Sequence, residues 1–239
     1  MSSKHSKGAT PPPVKVAVLI DGGFFIKRFN TLFNKKRDMS PEKMADLLYT
    51  MAHKHVGQHN TLYRIFYYDC EPSDKKVHNP ITKKAIDFRK SDEYKFRKEL
   101  FEHLKKKRKM ALRLGTLKDN KNWYIKSDKV KELLNGSIEI KDLTENDVYL
   151  DFKQKGIDMK IGVDIASLAL KRFVDTIVLF SGDSDFVPAA KLARREGIDF
   201  ILDPMFANVE PQLFEHIDGM KSVSPFGGGN KSKKKKTSS

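Results

Sequence analysis

The sequence predicts an α/β fold in which a mostly parallel sheet is flanked by helices. Three observations carry this expectation. Short apolar runs, several of them β-branched, alternate with helical patterns along most of the chain. The runs are apolar on both faces, as strands buried between two layers must be. Acidic residues follow several runs directly, and an open parallel sheet binds its ligands beyond the carboxyl ends of its strands.

The elements follow in order. "VKVAVLI" (14–20) reads as a buried strand ended by Asp21-Gly22-Gly23. Residues 41–55 read as a helix, with Ser40 as N-cap and Pro41 at the first helical position. "LYRIFYYD" (62–69) is a second strand, and "VYLDF" (148–152), which alternates, is a candidate third. Residues 157–173 carry Ile157, Ile161, Ile165, Leu168 and Phe173 near helical spacing. "TIVLF" (176–180) is a strand, "DFVPAAKLARREG" a helix stopped by Gly197, and "IDFIL" (198–202) a further strand. Residues 1–13 and 225–239, rich in Ser, Lys, Gly and Pro, read as disordered tails around a domain spanning 14–224.

The segment 75–147 interrupts the alternation and reads as a basic insertion or lid. From Lys75 to Lys131 it holds 20 Lys and Arg against 7 Asp and Glu, within a chain whose net charge is +15. A helix is expected at about 91–107. A hairpin is expected after it, pairing "MALRLGTL" with "WYIK" around "KDNKN". The run Lys105, Lys106, Lys107, Arg108 and Lys109 is a candidate grip for nucleic-acid phosphates, against the plainer reading of a solvated helix face. Tyr94, Phe96, Phe101 and Trp123 are aromatic candidates for stacking on bases, with Phe101 assigned to core packing beside Leu104. His53, His55 and His59 match no zinc spacing and are expected at a partly exposed helix end.

Composition excludes several classes. A pI of 9.6 attracts polyanions, nucleic acid above all. Lone Cys70 rules out an internal disulfide framework and fits a reducing compartment. The N-terminus lacks the apolar core of a signal peptide, and no apolar run approaches membrane length. The expectation is a soluble, cytoplasmic protein with no membrane partner.

The acids then define a site. Asp21 ends the first strand, Asp69 the second, and Asp183 with Asp185 follow "TIVLF". Asp158 begins the helix after the third candidate strand, and Asp164 lies further along it. Like charges about 4 Å apart repel by roughly 4 kcal/mol at an effective dielectric of 20, so such a rim calls for a cation. Carboxylates without a Cys or His set suit Mg²⁺ or Mn²⁺ rather than zinc. Asp21, Asp158, Asp183 and Asp185 are the expected ligands and catalytic groups, with Asp158 preferred over Asp164. Asp185 as an N-cap and Asp69 as a turn or ligand residue stay open.

"VAVLIDGGFF", "KGIDMKIGVDIA" and "DTIVLFSGDSDFVPAAKLARREGID" resemble the NYN domain, a branch of the PIN-like nucleases, over about 14–224. The resemblance implies a Rossmann-like PIN sheet, a metal-dependent acidic site and RNA as substrate. It maps the family's acids onto Asp21, Asp158, Asp183 and, less directly, Asp185 and Asp164. Phe24 departs from the pattern, since many members carry Asn there. The expected function is a ribonuclease. The rivals are a non-catalytic RNA-binding module and a phosphatase or nucleotide hydrolase on the same scaffold.

Overall fold

β1 (Lys15–Asp21) is buried almost throughout and forms the centre of the sheet in this computed structural model, which describes residues 12–36 and 38–226, without the side chains of 118–121, 153 and 154. The chain passes directly into α1 (Gly22–Leu32), then α2 (Pro41–Val56) and β2 (Thr61–Cys70). A small hairpin follows, β3 (Lys76–His78) with β4 (Ala85–Asp87), and then α3 (Asp92–Lys105), β5 (Met110–Ile125) and α4 (Ser127–Leu134). β6 (Val148–Lys155), α5 (Ile157–Leu170), β7 (Thr176–Phe180), α6 (Val187–Arg195), β8 (Asp199–Asp203), α7 (Pro211–Phe214) and β9 (Gly219–Met220) complete the order.

The main sheet runs β6-β5-β2-β1-β7-β8-β9. All neighbours from β5 to β9 pair in parallel, and β6 alone runs antiparallel, on one edge. Helices cover both faces. On one, α1, α2 and α3 bury Phe25, Phe29, Met44, Leu48, Met51, Leu100 and Leu104 against Val18, Ile20 and Ile65. On the other, α5 and α6 bury Ile157, Ile161, Ile165, Leu168, Ala190 and Ala193 against Ala17, Leu19, Ile177 and Leu179. This is the expected Rossmann-like arrangement, a mostly parallel sheet flanked by helices.

Local chemistry fixes the helix starts. Ser40 accepts the Lys43 amide at 3.2 Å with Pro41 at the first position of α2, and Ser91 accepts the Tyr94 amide at 3.1 Å to start α3. Gly197, at φ 83°, ends α6 in the left-handed conformation that favours glycine.

The segment 110–126 differs from its expected form. It is one strand, not a hairpin. Its first part pairs in parallel with β2, Met110 opposite Ile65 to Gly115 opposite Cys70. Its second part pairs antiparallel with β6, Thr116 opposite Lys155 to Ile125 opposite Val148. The residues expected as a turn are a shift of register between Asp119 and Trp123. A hairpin folded on itself would leave the ladder groups of 148–155 unpaired, whereas the long strand satisfies both ladders. The hairpin this region does contain is β3–β4, ahead of α3. "VYLDF" is therefore an antiparallel edge, and β5 is the parallel neighbour of β2.

His55 also differs. It lies buried, paired with buried Asp203 at 2.9 Å and set edge-on to Phe180. Among the described residues, no helix is long and apolar enough to cross a membrane.

Candidate metal and nucleic-acid site

Four aspartates from three parts of the chain share the carboxyl edge of the sheet. Asp21 ends β1 and caps α1, its carboxylate accepting the Phe24 amide at 3.1 Å. Gly22 makes that abrupt change possible. A Cβ there would stand 2.6 Å from the Tyr67 ring and 2.7 Å from the Tyr68 carbonyl oxygen, so only glycine lets α1 leave so close to β2. β7 lies beside β1, and the loop after it brings up Asp183 and Asp185. The Asp183 carboxylate accepts the Asp185 amide at 3.0 Å, and the Asp183 amide donates to Ser181 Oγ at 3.2 Å. The capping role considered for Asp185 thus falls to Asp183, which starts the single turn Ser184–Phe186. Asp158 stands in the first turn of α5.

Their charges act on one another. Burial pushes the Asp21 carboxyl up from 3.8 to about 6. The Phe24 amide opposes this, and the charges of Asp158 and Asp69 add to it. Asp158 is raised by desolvation and then by Asp183 and Asp185. A cation at this edge would relieve that repulsion, and four carboxylates suit a hard dication by donor type. The cage is not closed: among the described residues, no three His, Cys, Asp or Glu side chains are grouped tightly enough to hold an ion.

Asp69 and Asp164 are engaged within the protein. Asp69 is fully buried and accepts from Arg97 Nη1 at 2.7 Å, the Cys70 amide at 2.8 Å and the Tyr67 hydroxyl at 3.2 Å. Asp164 Oδ2 accepts from the Tyr68 hydroxyl at 2.8 Å and Arg113 Nε at 3.1 Å. Sequence reasoning did not single out Arg97, Arg113 or Tyr68. Arg97 carries one local signal, Glu93 four residues before it, whose carboxylate it meets at 3.2 Å. Phe24 sits over Gly182, where a Cβ would lie 3.2 Å from its ring, so an apolar edge borders the acids.

The basic run lies elsewhere. Lys105 to Lys109 form the turn from α3 into β5, at the amino edge of the sheet. Lys109 Nζ donates to the Leu62 carbonyl, Lys107 pairs with Asp46, and Lys105 pairs with Glu102 at 2.6 Å. The six steps along β2 from Leu62 to Tyr68, which pairs with Asp21, span about 20 Å. The run therefore stands at the other end of β2 from the acidic rim. α3 runs back along β2, so the residues near the acids come from its first turns and those of the basic turn from its end. Trp123, left open from sequence, faces Leu150 across the β5–β6 pair.

The NYN domain family model matches residues 98–210, a span that includes Asp158, Asp164, Asp183 and Asp185 and begins after Asp21. A crystal structure of a Vibrio parahaemolyticus protein of unknown function aligns at 15% identity and TM-score 0.47, covering 90% of this chain and 96% of that one. A structure of Sir2 enzymes aligns at 13% identity and TM-score 0.34, covering 89% of this chain and 88% of the other. Alignments this loose say nothing about function. No curated protein matches the chain.

Proposed function

We propose that this chain, which carries an NYN domain and so belongs to the PIN-like nuclease superfamily, is a metal-dependent ribonuclease acting at the carboxyl edge of its sheet. Asp21, Asp158, Asp183 and Asp185 would hold one or two Mg²⁺ or Mn²⁺ ions. Such an ion supplies charge to the phosphate oxygens and lowers the pKa of a bound water. Hydrolysis adds the oxygen of water to phosphorus and releases the sugar oxygen with a proton. The protein's share is to hold the acids in place. The Phe24 amide fixes Asp21, and the turn at Ser184–Phe186 fixes Asp183 against Asp185. Asp164, engaged by Tyr68 and Arg113, orients β5 against α5 rather than facing the substrate.

One observation supports the reading most: carboxylates from β1, α5 and the loop after β7 come together at a single edge, where burial raises Asp21 to about 6 and the charge of Asp158 adds to the rise, while Asp158 is itself raised by burial and then by Asp183 and Asp185. Such repulsion is costly without a cation. A second reading, a non-catalytic RNA-binding module, draws on the open grouping of those same acids. Incubation of labelled single-stranded RNA with the chain decides between them. The expected result is cleavage that stops in EDTA and returns with Mn²⁺ or Mg²⁺. Binding without cleavage at any metal concentration favours the second reading. Undiminished cleavage in EDTA sinks the metal mechanism, and hydrolysis of nitrophenyl phosphate alone favours a phosphatase.

A further inference from the structure

A cavity of about 230 Å³ opens beside the acidic edge, between the end of β2, the first turns of α3 and the β5–β6 pair. Its walls include Phe88, Tyr94 and Phe152, all half-buried, with Arg97 and Ser73 supplying polar groups. Phe88 and Phe152 pack edge to face at 87° with ring centroids 4.9 Å apart, and both line the cavity. Ser91 holds this corner, donating from Oγ to the Phe88 carbonyl at 2.6 Å while capping α3. Arg97 links the cavity to the site, since its guanidinium binds Asp69, whose charge acts on Asp21.

We infer that this cavity is a nucleobase subsite, taking one unpaired base of the RNA next to the scissile bond. The inference rests on the ribonuclease reading above. Size supports it, because drug-sized ligands occupy about 300–1,000 Å³ and this space suits a single ring system. Aromatic rings are a usual means of holding the bases of single strands, and they tolerate any base; the charged groups of this lining, Arg97 and Glu93, are paired with each other. Position supports it too. Cys70, on the cavity wall, lies one strand across and two residues beyond the partner of Asp21, a separation of about 8 Å. A base seated here places its neighbouring phosphate towards the acids. The inserted segment then contributes at this edge through its aromatic residues, more than through its lysine run.

The test uses the full chain carrying Asp183→Asn, which keeps RNA intact, in Mg²⁺. Fluorescence polarisation compares a short single-stranded RNA with the same backbone lacking bases. The parent should prefer the base-bearing strand. Phe88→Leu, Phe152→Leu and Tyr94→Leu should each weaken binding of that strand about 10-fold, with little change for the abasic one. Tyr94→Leu, at a half-exposed helix position, is the variant least able to disturb the fold, and a melting temperature within about 5 °C of the parent verifies it. Retention of the full base preference by folded variants overturns the subsite while leaving the ribonuclease reading intact. Displacement of RNA by free nucleoside monophosphates at equal concentration overturns it in favour of a mononucleotide site. No binding of either strand by the parent, together with no metal-dependent cleavage by the unmodified chain, overturns both readings.

Discussion

At Asp21 the demands of folding and of function pull apart. The carboxylate caps α1, yet burial and its neighbours hold its pKa near 6 rather than 3.8. A folded chain that binds this proton more tightly than the unfolded chain has stability fully present below about pH 4, and loses it as pH rises through 6. Asp21→Asn keeps the cap and removes the charge. In EDTA at pH 7.5 it should therefore stabilise the protein by about 1–2 kcal/mol, a figure discounted for partial exposure, with no gain at pH 4. Urea unfolding at the two pH values measures this, and a destabilised variant at pH 7.5 would contradict the stated electrostatics. Mn²⁺ should raise the melting temperature of the unmodified chain and not that of Asp21→Asn. The two acids of α5 differ in the same terms. Asp158→Asn should lower cleavage by orders of magnitude with stability unchanged or improved. Asp164→Ala leaves the Tyr68 hydroxyl without its acceptor and should cost about 1–3 kcal/mol, seen as a lower urea midpoint, with a smaller loss of activity. The reverse order of activities would make Asp164 the ligand.

Among the elements, the turn from α3 to β5, with its five basic residues, stands at the end of β2 away from the acids. The Lys109 amine is held at the Leu62 carbonyl, about 20 Å along β2 from the partner of Asp21, and Lys105, Lys107 and Lys109 already have partners. We propose that this turn contacts phosphates only of an RNA long enough to wrap from one edge of the sheet to the other. Changing all five to Gln should leave the affinity of an RNA confined to the acidic edge within about 2-fold. For a longer RNA it should flatten the log–log salt dependence by about 0.7 per lost contact. Equal losses for short and long RNA would place the turn beside the site after all. The β5–β6 pair matters differently, because it brings Phe152 to the mouth of the cavity and sets the start of α5 through Gly156, at φ 80°.

Across the whole molecule, Asp203 ties distant segments together. Its carboxylate pairs with His55 of α2 and accepts the amides of Met205 at 2.8 Å and Val223 at 3.3 Å, all buried. Lys54 donates to the Ser224 carbonyl and Lys221 to the Lys54 carbonyl, extending the tie at the surface. Asp203→Ala should cost about 3–5 kcal/mol, because it strands a buried histidine and two amides at once. A loss of unfolding free energy in urea smaller than about 1 kcal/mol would show that the segment after β8 docks by apolar contact alone.

How much of this was legible follows from the range of each force. Strands such as "KVAVLI" and "TIVLF", the Ser40 cap with Pro41, and Gly197 after α6 are read directly, because burial pattern and capping act within a few residues. The placing of Asp21, Asp183 and Asp185 at one edge was also within reach, since a parallel sheet sends its strand ends to one side, whereas Asp158 arrives there at the end of antiparallel β6, whose Lys155 stands opposite Thr116 just past the part of β5 that pairs with β2. Other features are settled between segments far apart in the chain. The pairing of β5 with both β2 and β6 depends on which edges remain open once the sheet assembles. The neutralisation of Asp69 by Arg97 and the placement of the basic turn away from the acids depend on α3 running back along β2; the pairing of Asp164 with Arg113 depends on α5 meeting β5, and the burial of His55 against Asp203 on α2 meeting the end of β8. Local composition sets which residues are charged or apolar. Only the assembled sheet and its helices decide which charges meet, because Coulomb and hydrogen-bond energies follow distance in space and not separation along the chain.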